Sequence, residues 1–165
     1  MNTKLAVLAV LAAAVTLTSV ASAGPDAAKQ RVAITATVLP AGKAVLEPLQ
    51  KGALVRSAGT FGFVGNLSQT PDRTVMRDGQ EVDIYSGTWK FTGKRGTLVF
   101  RERNEWVDLG QDLNRDAYVD DIAIGTWKVV RGTGTYAGIT GGGRSAHLGL
   151  GRKWVARYEG FLTSP

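Results

Sequence analysis

Residues 125–162, GTWKVVRGTGTYAGITGGGRSAHLGLGRKWVARYEGFL, hold the pattern that decides the fold. Side chains alternate through the closing segment, and the positions on one face are Trp154, Ala156, Tyr158, Gly160 and Leu162. Because successive side chains of a strand point to opposite faces, this alternation predicts a β-strand. The opposite face, residues 155 to 161, is also half apolar, which is typical of a barrel wall rather than of a surface sheet.

A short repeat links this stretch to an earlier part of the chain. The tetrapeptide Gly-Thr-Trp-Lys of residues 87–90 recurs at residues 125–128, each time followed by a glycine turn. A single echo excludes a propeller or a solenoid, which need about three or more repeats. It fits two hairpins of similar design within one barrel.

The remaining chain reads as short β-rich runs separated by Gly, Asn and Asp, without a long amphipathic helix. We expect residues 40–52 to form a connection with one helical turn at 43–46, and residues 68–79 to form a polar turn region. The sequence therefore predicts an all-β fold, a single antiparallel barrel of about eight strands. Glycines within strands favour the sharp coiling that closes a small barrel.

The amino-acid composition excludes several kinds of functional site. The chain has 165 residues, 21 of them Gly, no Cys, one His and a formal net charge of +6. The lack of Cys excludes disulfides, thiolate metal sites and a cysteine nucleophile. The single histidine, His147, excludes a metal site built from several histidines. No acidic partner for it is evident in the sequence, which favours a surface or hydrogen-bonded strand residue over a general base.

The first 23 residues have the layout of a bacterial-type secretory signal peptide. Lys4 supplies a positive charge, residues 5–15 are apolar, and Ala21-Ser22-Ala23 precedes Gly24 as a small-residue cleavage site. We expect residues 24–165 to be one barrel domain that is secreted to the periplasm, the cell surface or the medium, with no membrane span after cleavage. The alternative is an uncleaved membrane anchor.

A family resemblance rests on the glycine-rich turn. Gly132-Thr133-Gly134-Thr135-Tyr136 is followed by a Gly-rich stretch and by Tyr158-Glu159-Gly160 on the closing strand. This pattern resembles the C-terminal part of the allene oxide cyclase and dirigent barrel superfamily, in particular its Gly-rich secreted bacterial members. The glycines that we expect to have a structural role in this turn are Gly132, Gly134, Gly138, Gly141, Gly142 and Gly143.

The resemblance implies an eight-stranded barrel with an apolar interior, in which related enzymes steer the cyclisation or coupling of small reactive molecules. It also implies a homo-oligomer. The dirigent pattern has an Arg where this chain has Thr140, with Arg144 four positions later, so no catalytic residue is carried over.

An acidic loop has the spacing of a calcium site. Oxygen donors recur at every second position, in the order Asp112, Asn114, Asp116, Tyr118 (through its carbonyl) and Asp120. Calcium needs several oxygen ligands at once, which this spacing supplies. Ala117 stands where a calcium loop has Gly, so a solvated polar hairpin tip is the alternative. No other cofactor is expected.

Aromatic residues are the candidate lining of a ligand cavity. They are Trp89, Trp106, Trp127, Trp154 and Tyr158. Ligand pockets are mostly aromatic and apolar with a few polar groups, although the same side chains also suit a packed barrel core. Catalysis in such a cavity would need an inward acid or base, for which strand position favours Asp83, Glu102, Glu105 or Arg157.

The C-terminal part of the chain is basic, with six Lys or Arg between residues 125 and 165 against Glu159 alone. Such a stretch suits an anionic cell surface, whereas we expect no nucleic-acid partner for a secreted protein. We therefore expect a secreted, non-enzymatic barrel that binds a small apolar or aromatic molecule or acts at the cell surface. The alternative is a dirigent-like or allene-oxide-cyclase-like enzyme acting in the barrel cavity.

Overall fold

The computed structural model describes residues 28–38, 42–52, 54–67, 70–112, 120–150 and 153–165. They form nine strands and one short 3-10 helix, Gly134–Tyr136. The strands are β1 Lys29–Val38, β2 Gly42–Pro48, β3 Gly59–Leu67, β4 Arg73–Arg77, β5 Gln80–Gly93, β6 Gly96–Asp108, β7 Asp121–Gly132, β8 Thr140–Leu150 and β9 Lys153–Thr163. Within these residues no helix is long and apolar enough to cross a membrane.

The strands form one closed antiparallel sheet. Their order is β3-β2-β1-β9-β8-β7-β6-β5-β4, and a further pairing of β3 with β5 closes an eight-stranded barrel. β4 is an extra strand outside the closed ring, joined to β5 by a tight hairpin. The predicted all-β antiparallel barrel is confirmed.

Two local expectations are wrong. Residues 42–48 form strand β2, because Ala44 and Leu46 pair with Ala36 and Ile34 of β1 and are buried in the interior. Tertiary pairing overrides the helical tendency of this short run. Residues 73–77 form β4, because Asp78 and Gly79 both adopt positive φ, 49° and 79°, as a two-residue hairpin turn requires.

One end of the barrel is closed by apolar side chains. Tyr136 of the 3-10 helix and Ile139 are buried in the core. The Gln30 amide binds both the N–H and the C=O of Val55, which fixes the loop between β2 and β3 under the same end. We call it the plugged end. The opposite end, where β7 begins and β8 ends, is called the polar end below.

Aromatic side chains fill the interior because glycines face them across the sheet. Gly65 of β3 pairs with Trp89 of β5, and a Cβ at Gly65 would overlap with the Trp89 ring. The wide indole therefore lies flat against the neighbouring strand, where any other residue would displace it.

Candidate functional site

A cluster of polar side chains lies inside the barrel, between the apolar middle and the polar end. Its members are Glu102 and Asn104 of β6, Ser145 and His147 of β8, and Tyr158 of β9, and all five are buried. Strand alternation places them there. On β6 the inward positions follow Leu98 and Phe100 with a period of two, so residues 102 and 104 must also face inward.

The centre of this cluster is an ion-pair-type contact between Glu102 and His147. The imidazole Nε2 lies 2.6 Å from Glu102 Oε1, and both side chains are fully excluded from solvent. The Tyr158 hydroxyl donates to the other carboxylate oxygen at 3.3 Å. Burial, followed by the charge of Glu102, raises the pKa of Tyr158 far above its usual value, so Tyr158 stays a neutral donor.

The neighbouring amide extends the network. Asn104 Nδ2 lies 3.1 Å from the same imidazole nitrogen, and the Ser145 hydroxyl donates to Asn104 Oδ1 at 3.1 Å. When Nε2 carries the proton and donates it to the Glu102 carboxylate, that nitrogen has no lone pair with which to accept a hydrogen bond from Asn104. We therefore expect the Asn104 amide to turn its oxygen to His147 and its nitrogen to Ser145, an exchange that the same heavy-atom positions allow. In the tautomer with its proton on Nε2, the ring lone pair lies on Nδ1, which has no hydrogen-bond partner among the described residues.

Aromatic rings surround the imidazole. Its centroid lies 4.8 Å from Trp154, 5.6 Å from Tyr158 and 5.7 Å from Trp106. Trp154 in turn stacks on Trp89 at 5.2 Å with an interplanar angle of 19°. Trp106 and Trp154 are only partly buried, so this aromatic layer opens to solvent at the polar end.

Four buried polar atoms here have no hydrogen-bond partner within the part of the chain that the structure describes. They are His147 Nδ1, Trp89 Nε1, Trp106 Nε1 and Asp121 Oδ1. Buried polar groups are nearly always paired, and an unpaired one costs about 1–3 kcal/mol. The plugged end differs from this part of the barrel, because buried apolar side chains close it.

The rim of the polar end is acidic. Asp121, at the start of β7, is half-buried, and burial raises the pKa of its carboxyl group above the usual range. The Gly149 N–H and His147 oppose this shift, whereas Asp108 and Asp120 add to it. Tyr85 lies near the same carboxylate, and burial together with Asp83 and Asp121 raises its pKa.

The predicted cavity residues occupy two different environments. Trp89, Trp106, Trp154 and Tyr158 all border the polar cluster or the aromatic layer above it. Trp127 does not. It stacks on Phe100 at 4.4 Å, and its indole N–H donates to the carbonyl oxygen of Arg144 at 3.0 Å, so Trp127 is part of the packed wall.

The four charged residues that were predicted as candidates for an inward acid or base also lie in different environments. Glu105 is ion-paired to Arg77 at 2.7 Å, Arg157 is exposed, and Asp83 is only partly buried. Glu102 alone among the four is fully buried. The sequence interpretation missed its pairing with His147. The alternation on β6 was a usable signal, but the pairing also needs β8 to lie across the barrel, which no local pattern shows.

The acidic loop is only partly described. Asn114, Asp116 and Tyr118 lie outside the described residues, whereas Asp112 is partly buried and Asp120 is buried. Among the residues that the structure describes, no group of three or more His, Asp or Glu side chains could hold a metal ion.

The glycine-rich turn connects β7 to β8 at the plugged end. Gly134, Gly138 and Gly141 have φ of 60°, 71° and 153°, which L side chains rarely adopt. At Gly132, Gly142 and Gly143 a Cβ would overlap with backbone atoms of neighbouring segments. These glycines allow the turn and β8 to approach their neighbours closely.

Basic side chains cover the outer wall formed by β5 to β8. The exposed cations of this basic wall are Lys90, Arg101, Arg103, Lys128, Arg131 and Arg144. Arg101 and Lys128 are directly opposite each other across β6 and β7. The flanking acids, Glu105 and Glu159, are ion-paired to Arg77 and to Arg31 and Arg157.

Fold and site together define a closed β-barrel with a buried carboxylate–imidazole pair under an aromatic layer. Comparisons with protein families, with curated proteins and with solved structures find no match to this chain.

Proposed function

We propose that this protein binds a small, flat, largely apolar molecule that carries a hydroxyl or carbonyl group, in the polar end of the barrel. The observation that carries this proposal is a set of buried polar atoms in or near the aromatic layer that have no hydrogen-bond partner among the described residues. They include an acceptor, His147 Nδ1, and two donors, Trp89 Nε1 and Trp106 Nε1. A ligand with one oxygen function on an aromatic body would complement both kinds of group.

A second candidate function, catalysis on a small molecule, is favoured by the position of Glu102. Its carboxylate is buried in an apolar interior, the environment in which acid–base chemistry becomes effective. The resemblance to the allene oxide cyclase and dirigent superfamily agrees with this candidate, as does the barrel architecture, although fold likeness alone does not assign an activity.

The proposed location of this activity rests on the N-terminal sequence. We propose that residues 1–23 are removed during secretion and that the barrel acts outside the cytoplasm, with calcium held by the acidic loop. The intact mass of the protein recovered from the secreting host tests the removal of residues 1–23, and a mature chain that begins at Gly24 supports it.

A calcium-dependent rise in melting temperature supports calcium binding by the acidic loop, and an unchanged melting temperature at millimolar calcium overturns it.

The binding experiment uses 2-naphthol, whose flat apolar body carries a single hydroxyl group. Proton–nitrogen correlation spectra of the full chain report each of the four indole N–H groups, which Trp→Phe variants assign. We expect saturable shifts at Trp89 and Trp106 and no shift at Trp127, whose N–H is already bound to backbone oxygen. Naphthalene, which lacks the hydroxyl, is the matched ligand control and is expected to bind more weakly.

Two outcomes would overturn the proposal. One is the absence of any saturable shift with 2-naphthol. The other is a shift of all four indoles to the same extent, which indicates contact with the outside of the barrel.

A further inference from the structure

We propose that Glu102 and His147 form a proton-transfer pair that isomerises a bound enolisable carbonyl compound, with His147 Nδ1 as the base. This inference rests on the proposed binding function and names its substrate class. The substrate would be a flat, aromatic or conjugated ketone with a C–H bond next to the carbonyl.

The geometry assigns one role to each imidazole nitrogen. Nε2 is held 2.6 Å from the Glu102 carboxylate, which fixes the ring and its tautomer. Nδ1 is buried and has no partner among the described residues. A base needs this combination, because one nitrogen must be oriented by an acceptor while the other is free to take a proton.

The Glu102 carboxylate is in turn held by a second hydrogen bond. The Tyr158 hydroxyl donates to Glu102 Oε2, so both oxygens of the buried carboxylate are engaged. A protonated imidazole would thus form beside a fixed negative charge, and because both side chains are excluded from solvent, the attraction between the two is strong. Glu102 is a positioning residue, because it acts through His147 and does not touch the substrate.

A donor for the developing oxyanion lies next to the imidazole. The Trp106 ring is 5.7 Å from the His147 ring, and its buried Nε1–H has no acceptor within the described part of the chain. A carbonyl oxygen placed against Trp106 would bring the adjacent carbon towards His147. Preorganised donors of this kind stabilise an enolate without reorganisation.

The proposed reaction is balanced without a cofactor. The C–H bond next to the carbonyl breaks, its proton passes to Nδ1, and its electron pair moves into the enolate. The Trp106 N–H donates a hydrogen bond to the oxyanion. The proton then returns from Nδ1 to a carbon of the enolate system, so the product is an isomer of the substrate and the enzyme is restored.

The pH dependence is set by the groups that face His147. These are Glu102 from β6, Tyr158 from β9 and, at the rim, Asp121 from β7 with Tyr85 from β5. Only the unprotonated imidazole can act as the base, so the rate is expected to rise with pH to a plateau.

The test follows hydrogen exchange from 2-tetralone, an enolisable relative of the naphthol probe, in heavy water. Nuclear magnetic resonance reports the loss of the proton signal from the carbon between ring and carbonyl. We expect the full chain to accelerate this loss over buffer with equimolar imidazole, His147→Gln to abolish the acceleration, and Glu102→Gln to slow it by about 100-fold. The double variant His147→Gln/Arg144→His carries an exposed imidazole instead and is expected to stay inactive.

The outcomes separate the two proposals. If 2-naphthol still shifts the Trp89 and Trp106 signals but exchange from 2-tetralone equals that of free imidazole, the catalytic proposal is overturned and the binding proposal stands. If neither occurs, both are overturned. Should Glu102→Gln fail to fold, the pH profile of the unaltered chain decides: a rate without a single ascending limb contradicts a histidine base.

Discussion

Burial of the Glu102–His147 pair has a high free-energy cost for a small barrel. Removal of two ionisable groups from water is offset only when geometry and further hydrogen bonds compensate. The pair has this compensation at Glu102, through Tyr158, but His147 Nδ1 has none among the described residues. Replacement of a buried ion pair by apolar residues of similar volume is often neutral or stabilising, so the presence of the pair is weak evidence for a role in stability.

Removal of His147 alone should therefore lower the stability of the protein more than removal of both Glu102 and His147. We expect His147→Leu to lower the free energy of unfolding by about 3 kcal/mol, because it leaves the buried Glu102 carboxylate without its imidazole. The double variant Glu102→Leu/His147→Leu should recover most of this loss. Urea unfolding of the two variants and the parent measures the difference, and a double variant less stable than His147→Leu would contradict the argument.

Asp121 gives a prediction about pH. Its pKa is raised in the folded protein, chiefly by burial, so between the unfolded value of about 4 and the raised value the folded state binds more protons than the unfolded state. Stability is therefore lost as pH rises through this window. Asp121→Asn still accepts the Gly149 hydrogen bond but carries no charge.

We expect Asp121→Asn to melt at a higher temperature than the parent at about pH 7, and the difference to disappear below about pH 4. Thermal unfolding across that range measures it. Glu81→Gln removes an equal charge from an exposed position of β5 and is the matched control. A constant difference at all pH values would exclude titration of Asp121 as the cause.

At the scale of single strands, the sequence was informative where alternation is regular. The alternation predicted along β9 from residue 154 to residue 162 is observed, and Ala156, Tyr158, Gly160 and Leu162 of the same face are all buried. The strands that the sequence did not predict, β2 and β4, are short and depend on pairing with β1 and β5. Their local residues carry no strand signal that is independent of these partners.

The pairing of Gly65 with Trp89 gives the prediction at this scale. We expect Gly65→Ala to destabilise the barrel by about 1–3 kcal/mol, because the new methyl group overlaps with the indole and the interior is close-packed. Gly62→Ala on the same strand is the control, since its Cβ would meet nothing closer than 4.0 Å.

Unfolding in urea, followed by tryptophan emission, compares the two glycine variants. Trp89→Leu should reduce the cost of Gly65→Ala when the two changes are combined. Equal stability of Gly65→Ala and Gly62→Ala would show that the strand, and not the indole, limits this position.

For the molecule as a whole, closure of the barrel brings Glu102 and His147 into contact, which the sequence alone did not predict. Glu102 and His147 are 45 residues apart and lie on strands that are not neighbours, since β7 separates β6 from β8. Their contact exists only because the wall curves enough for inward side chains to meet across it. The aromatic lining was predictable from composition and alternation, whereas the buried pair depends on strand order and register, which one sequence does not determine.

Closure of the barrel also determines which charged side chains face the interior and which face solvent. Strand alternation directs the carboxylate of Glu102 inward and the flanking Arg101 and Arg103 outward. The basic wall on β5 to β8 is the result, and Arg101 and Lys128 meet there as like charges directly across from each other, which is unfavourable for the sheet. A clustered positive field of this kind attracts anionic surfaces, and salt screens it.

We expect the double variant Arg101→Glu/Lys128→Glu to elute from a sulfonate cation-exchange column at clearly lower salt than Lys43→Glu/Lys51→Glu. The two variants change the net charge equally, but residues 43 and 51 lie outside the basic wall. Binding through a localised field should respond to the first pair far more than to the second, because screened interactions between exposed charges fade beyond about 10 Å at 0.1 M salt. Elution of both variants at the same salt concentration would mean that retention follows net charge alone and that the basic wall has no separate role in binding anionic surfaces.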